Sequence, residues 1–162
     1  MKRFCLLAGL TLVLTLTQAA LGADMIEGTW KINLAKSKYS PANLAPKSGT
    51  SVITAAPGGG IKVVADGVDS QGRKTHTEYT TKLDGKDVTI TSTVDGKPNP
   101  DQDVAVWKKI DDFTYENVSK LKGKVLTTTR VVVAKDGKTR TNTITGTNAQ
   151  GQAVNHTVIY EK

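Results

Sequence analysis

Along most of this chain, apolar and polar residues alternate one by one, and no segment repeats convincingly at helical spacing. In "TWKINL", Trp30, Ile32 and Leu34 share one parity against Lys31 and Asn33. In "DVTITSTV", Val88, Ile90, Ser92 and Val94 oppose a run of threonines, and in "EYTTKL", Tyr79, Thr81 and Leu83 oppose Glu78, Thr80 and Lys82. A period of two is the mark of a strand with one face wet. Ten strands follow: Thr29–Leu34, Thr50–Ala56, Ile61–Asp66, Lys74–Leu83, Asp87–Val94, Val104–Ile110, Thr114–Ser119, Val125–Ala134, Thr139–Thr145 and Ala153–Glu161. Their Val, Ile and Thr content suits a pleated surface.

Turn signals separate the strands. "PGGG" (Pro57 to Gly60), "DSQG" (Asp69 to Gly72), "DG" at Asp84-Gly85 and Asp136-Gly137, "KG" at Lys122-Gly123 and "AQG" (Ala149 to Gly151) supply the positive φ that tight hairpins need. "DGKPNPDQ" (Asp95 to Gln102) and "AKSKYSPANLAPKS" (Ala35 to Ser48) each carry two prolines and read as non-strand. Ten consecutive antiparallel strands make a sheet too wide to stay flat. Curling until the first strand meets the last removes the exposed edges. The expected fold is all-β, an up-and-down antiparallel barrel of about ten strands, which can enclose a small-molecule cavity.

The first 23 residues stand apart. Lys2 and Arg3 precede an apolar run from Phe4 to about Leu16, and small residues close it at Ala19, Ala20, Gly22 and Ala23. That is the pattern of a secretory signal peptide. The domain organisation is then a leader over 1–23 and one barrel domain over 24–162, in a periplasmic or extracellular protein. Removal of the leader takes away Cys5, the only cysteine, and leaves a net charge of +5. No Lys/Arg block forms, and "KLKGK" (Lys120 to Lys124) is the densest basic cluster. Nucleic acid is therefore not an expected partner. A weak attraction to anionic envelope surfaces fits the charge. Oligomeric state is not readable from these features.

Two stretches look like copies, "GVDSQGRKTHTEY" (Gly67 to Tyr79) and "GTNAQGQAVNHTVIY" (Gly146 to Tyr160), and each holds one of the two histidines. A zinc site takes three or four His, Cys or carboxylate ligands. Glu78 and Asp69 lie near His76 in sequence, but nothing brings His156 to them, so no metal and no cofactor are expected. The spacers differ: Gly72 to His76 is four positions and Gly151 to His156 is five. His156 and Tyr160 therefore share a face, whereas His76 and Tyr79 do not. The copies read as one hairpin solution used twice, with His156 turned inward and His76 toward solvent. No nucleophile motif is present. Asp95, Asp101 and Asp103 lack calcium-loop spacing, and the two Asn-x-Ser/Thr matches at Asn117 and Asn155 carry no weight.

The chain ends carry a family resemblance. "EGTWKIN" (Glu27 to Asn33) and "HTVIYEK" (His156 to Lys162) resemble the calycin superfamily, the lipocalins and fatty-acid-binding proteins. Gly-x-Trp on the first strand is their shared signature. Fatty-acid-binding proteins typically begin Gly-Thr-Trp-Lys-Leu and end in an Arg-x-Tyr-Glu-Lys segment, on ten antiparallel strands. Through "GTWKINLAKSKYSP", "EYTTKLDGKD", "KDGKTRT" and "GTNAQGQAVN" the chain is also similar to small secreted bacterial lipocalin-like proteins. The resemblance implies structural roles for Gly28 and Trp30, with Trp30 at the closed end. It matches Tyr160 to the terminal Tyr that holds a carboxylate with an arginine two positions earlier. Val158 stands at that earlier position, so that anchor is broken. Arg130 lies on the strand where the family often carries a second inward arginine.

These readings converge on a non-enzymatic barrel that binds a small, mostly apolar ligand, with Tyr79, Arg130, His156 and Tyr160 as the polar groups near it. The competing reading is a filled barrel that serves as a structural or protein-interaction module of the cell envelope. Its support is the Lys/Gly-rich turns and the few aromatics.

Overall fold

The computed structural model describes residues 24–162. The expected leader, 1–23, lies outside the described residues. Among the described residues, twelve strands form one antiparallel sheet. They are β1 (Gly28–Ile32), β2 (Ser48–Ala55), β3 (Ile61–Val68), β4 (Lys74–Thr81), β5 (Asp84–Thr89) and β6 (Thr91–Val94). Then come β7 (Lys97–Pro98), β8 (Val104–Lys109), β9 (Thr114–Leu121), β10 (Lys124–Val133), β11 (Thr139–Thr147) and β12 (Ala153–Glu161). Their order across the sheet is β5-β8-β9-β10-β11-β12-β1-β2-β3-β4-β6-β7. The first strand lies beside the last, with Lys31 opposite Glu161 and Ile32 opposite Tyr160. The up-and-down barrel is the observed architecture.

The count of twelve rather than ten has two local causes. The strand expected over Asp87–Val94 is interrupted at Ile90. Before Ile90 the chain pairs with β8, Val88 facing Ala105; after it the chain pairs with β4, Ser92 facing Thr77. One run of backbone thus belongs to both ends of the sheet and stitches the barrel together. The Ile90 N–H donates to the Asp103 carbonyl at 3.0 Å, and its side chain is buried. The second cause lies in the expected loop over 95–102. Asp95 and Gly96 have φ of 50° and 75°, the pair of positive values a two-residue hairpin turn requires. The chain returns for the two residues of β7, where Pro98 sits at a sheet edge that needs no N–H.

The segment between β1 and β2 is non-strand, as expected, with single 3-10 turns at Leu34–Lys36 and Ala42–Leu44. It is pinned along β12. Lys38 and Thr157 exchange both backbone hydrogen bonds, the Asn155 N–H donates to the Ser40 carbonyl, and the Ile159 N–H donates to Ser37 Oγ.

The barrel's two ends differ. At the base, Ile26, Trp30, Ile53, Ile61, Val63, Leu83, Tyr115, Val131 and Val133 are buried in one cluster, with Trp107 and Ile90 above them. Each large apolar side chain buried there stabilises by about 1.5–3 kcal/mol. Its polar tips are partnered. Trp30 Nε1 donates to the Ile26 carbonyl at 2.8 Å, and the Tyr115 hydroxyl donates to Asp24 Oδ1 at 2.8 Å. At the mouth, several inward side chains are short and polar and bond to one another. Thr77 and Ser92 hydroxyls lie 3.0 Å apart, Asn99 Nδ2 donates to Ser92 Oγ, and Ser119 Oγ donates to Gln102 Oε1.

Candidate functional site

The two copied hairpins sit together at the mouth. In the first, Asp69 Oδ1 accepts from the Gln71 and Arg73 N–H groups at 2.9 Å each; in the second, Asn148 Oδ1 accepts from the Gln150 and Gln152 N–H groups at 3.1 and 2.8 Å. Gly72 and Gly151 close the two turns at φ of 88° and 80°. A short side-chain acceptor organising its own turn is why Asp and Asn are interchangeable here. Both turns border an open cavity of about 780 Å³, lined also by Leu44, Pro46, Val94, Ile144, Val154 and His156. A smaller hollow of about 220 Å³ reaches Ser51, Thr77 and Tyr160.

Each turn is centred on its glutamine, and residues equidistant from that glutamine pair across the hairpin. Even offsets point inward and odd offsets outward. Tyr79 and Tyr160 are both even and pack against the core. His76 is odd and sits on the outer face, its Nδ1 2.8 Å from Asp66 Oδ1 and its Nε2 3.8 Å from Glu78. His156 is even and lines the cavity. The expected split between the two histidines is what the barrel displays.

His156 is already engaged. Its Nδ1 accepts the Ser40 N–H at 3.1 Å, and the Tyr39 ring packs 5.2 Å away at a tilt. Burial holds its pKa below the ordinary value of 6.5. A neutral ring with an accepting Nδ1 carries its proton on Nε2. His156 therefore fastens the β1–β2 segment over the barrel while leaving one N–H.

Arg130 requires a correction. It is exposed, because Thr129, Val131 and Val133 take the inward positions of β10 and send Arg130 outward. The interior cation is Arg140, on β11. It is 3% exposed, directly opposite Tyr160 in the register. Its guanidinium carbon lies 4.1 Å from the Tyr160 ring centroid and 5.2 Å from that of Trp30. Its Nε has no hydrogen-bond partner, and no carboxylate pairs with it among the described residues. Burial lowers its pKa, yet an arginine remains cationic. Cation–π contact offsets only part of the cost of removing such a charge from water. Beside it, Trp107 Nε1 donates to the Tyr79 hydroxyl at 2.8 Å. Burial pushes the Tyr79 phenol up to about 12, against the lowering pull of that hydrogen bond and of the Arg140 charge. Tyr79 is thus neutral, and its hydroxyl accepts one bond while keeping a hydrogen to donate.

The remaining expected residues hold structural positions. Trp30 is fully buried at the base. Gly28 has φ +129°, and the Lys162 side chain occupies the space a Cβ would fill, its ammonium 4.6 Å from the Trp30 ring. Arg140 and Trp107 were not among the expected site residues. The signal for Arg140 existed in the hairpin itself. Arg140 and Tyr160 each stand ten positions from Gln150, so the turn places them face to face.

No family model matches the chain, and no curated protein does so. Two solved structures share its fold. The wild-type fluorescent protein UnaG is 17% identical, with a TM-score of 0.54 over 85% of this chain and 96% of its own. A point mutant of UnaG is 21% identical, with a TM-score of 0.55 over 86% and 96%. Strand order, the first-to-last pairing and this likeness agree on the fold: the chain is an up-and-down antiparallel barrel with a calycin-like fold.

Proposed function

We propose that this protein is a non-enzymatic binding protein, periplasmic or extracellular once its leader is removed, that carries a small amphiphilic acid inside the barrel. The calycin-type fold supports small-ligand binding, and the mouth cavity gives a ligand room. The observation that carries the reading is Arg140. A buried guanidinium without a counter-ion is destabilising and becomes favourable when an anion reaches it. Tyr79 and Tyr160 flank that position. The apolar part of the ligand runs past Ile144, Val154, Val94 and Leu44 toward the mouth. The broken family anchor at Val158 is thereby replaced from the neighbouring strand, with Tyr160 kept.

Native mass spectrometry of protein purified from its own host tests this directly. The expected result is a stoichiometric organic acid, released into acidified solvent. Calorimetric titration with decanoate should give binding that Arg140→Leu weakens by about tenfold or more. A protein without bound small molecule, and without a thermal shift across an acid panel, would sink the reading. Cell fractionation with N-terminal sequencing tests the location; a cytoplasmic protein retaining residues 1–23 would overturn that part.

A further inference from the structure

The inward face of β11 reads Arg140, Asn142, Ile144 from base to mouth. Ile144 lines the cavity and Arg140 is buried beside Tyr160. Asn142 stands between them, about 7 Å along the strand from either neighbour. Its cross-strand neighbours are Val131 on β10 and Val158 on β12, both buried. Between two valines, Asn142 Oδ1 is itself buried and has no hydrogen-bond partner. An unpartnered acceptor in apolar surroundings is destabilising. Two adjacent inward side chains therefore carry complementary unmet needs. Arg140 Nε–H needs an acceptor, and Asn142 Oδ1 needs a donor.

A plain carboxylate answers only the first. Seated at Arg140, it leaves Asn142 Oδ1 unpaired and brings negative charge toward it. The geometry points to a ligand acid that also bears a hydroxyl or amide N–H a few atoms from its anionic group, received by Asn142 Oδ1. This deepens the binding-protein reading and rests on it: the ligand class narrows from amphiphilic acids to hydroxylated or amidated ones. Discrimination of this kind is effective because a site built for a hydrogen bond penalises the analogue that lacks it.

The test uses a matched pair, decanoate and 3-hydroxydecanoate, titrated calorimetrically into the wild-type chain, Asn142→Leu and Arg140→Leu. The hydroxy acid should bind the wild type about tenfold more tightly. Asn142→Leu should abolish that preference while keeping the decanoate affinity, and Arg140→Leu should weaken both acids. Leucine between two valines should also raise the melting temperature, which confirms that the variant folds. Equal wild-type affinities for the two acids overturn the inference and leave acid binding intact. So does an Asn142→Leu variant that weakens both acids alike, which would mean that the amide donates to the anion. If neither acid binds the wild type, acid binding fails and this inference with it.

Discussion

The base and the mouth of this barrel are built from the same strands, yet they solve opposite problems. At the base, side chains are large and apolar and each polar tip has a protein partner: Trp30 with the Ile26 carbonyl, Trp107 with Tyr79, Tyr115 with Asp24. Toward the mouth short polar side chains stand among Val94, Ile144 and Val154, around an open cavity. Arg140 and Asn142 face Val133 and Val131 of the base across the sheet, yet keep unmet hydrogen bonds. A polar group left unpartnered within a well-packed core is out of keeping with the groups around it. Under the proposed function, the apolar base supplies stability, and these two residues and the mouth supply recognition.

The sharpest way to break this division is to hollow out the base. Trp30→Ala should cost about 3–5 kcal/mol in chemical denaturation. It removes a fully buried ring, orphans the Ile26 carbonyl and strips one of the two aromatic faces that hold Arg140. A loss below about 1 kcal/mol would mean that the base does not anchor the fold. Arg140→Met makes the opposite test. Replacing a buried uncompensated charge by an apolar chain of similar length should leave stability unchanged or raise it by about 1–4 kcal/mol. Acid binding should be lost at the same time. A marked loss of stability would instead make Arg140 a strut between Trp30 and Tyr160.

How far this division could be read from the sequence depends on the element. The alternating faces of β1, β4 and β12 were readable because one wet face forces a period of two. The first-to-last pairing followed from a wide sheet avoiding its edges. The break at Ile90 was not readable, since Val88, Ile90, Ser92 and Val94 keep a single parity straight through it. Only the change of pairing partner, from β8 to β4, reveals it. Arg130 was misplaced because the alternation fails in "TTTRVVV", where threonines and valines fill both parities around it, and a resemblance on strand position was left to place it. Arg140 was passed over for a different reason. Buried arginines are rare, so an Arg in "KTRTNTI" reads as solvated unless the register with Tyr160 is worked out.

Two smaller effects test the mouth. His156 has a folded-state pKa depressed by burial, so the unfolded chain binds its proton more readily. The stability that follows is present above the ordinary value of 6.5 and is lost as pH falls through the folded-state value. Protonating Nδ1 also removes the acceptor for the Ser40 N–H. Melting temperatures between pH 7.5 and 5 should therefore fall more in the wild type than in His156→Phe. Equal slopes would remove His156 from the fastening of the β1–β2 segment.

The smallest effects belong to the twin turns, and they are informative for being small. Asp69→Asn and Asn148→Asp each keep the acceptor that receives two backbone N–H groups. Each exchange should shift stability by no more than about 0.5 kcal/mol. Asp69→Asn also gives up the exposed ion pair to Arg73, which is worth little in water. Gly151→Ala should cost about 1 kcal/mol, because φ is +80° and no atom lies near enough for an added Cβ to touch. Its cost is then one of backbone conformation alone. If an Asp/Asn exchange costs more than the glycine substitution, the side chain at that position does more than close a hairpin. The symmetry between the two copies would then end at the turn that fails.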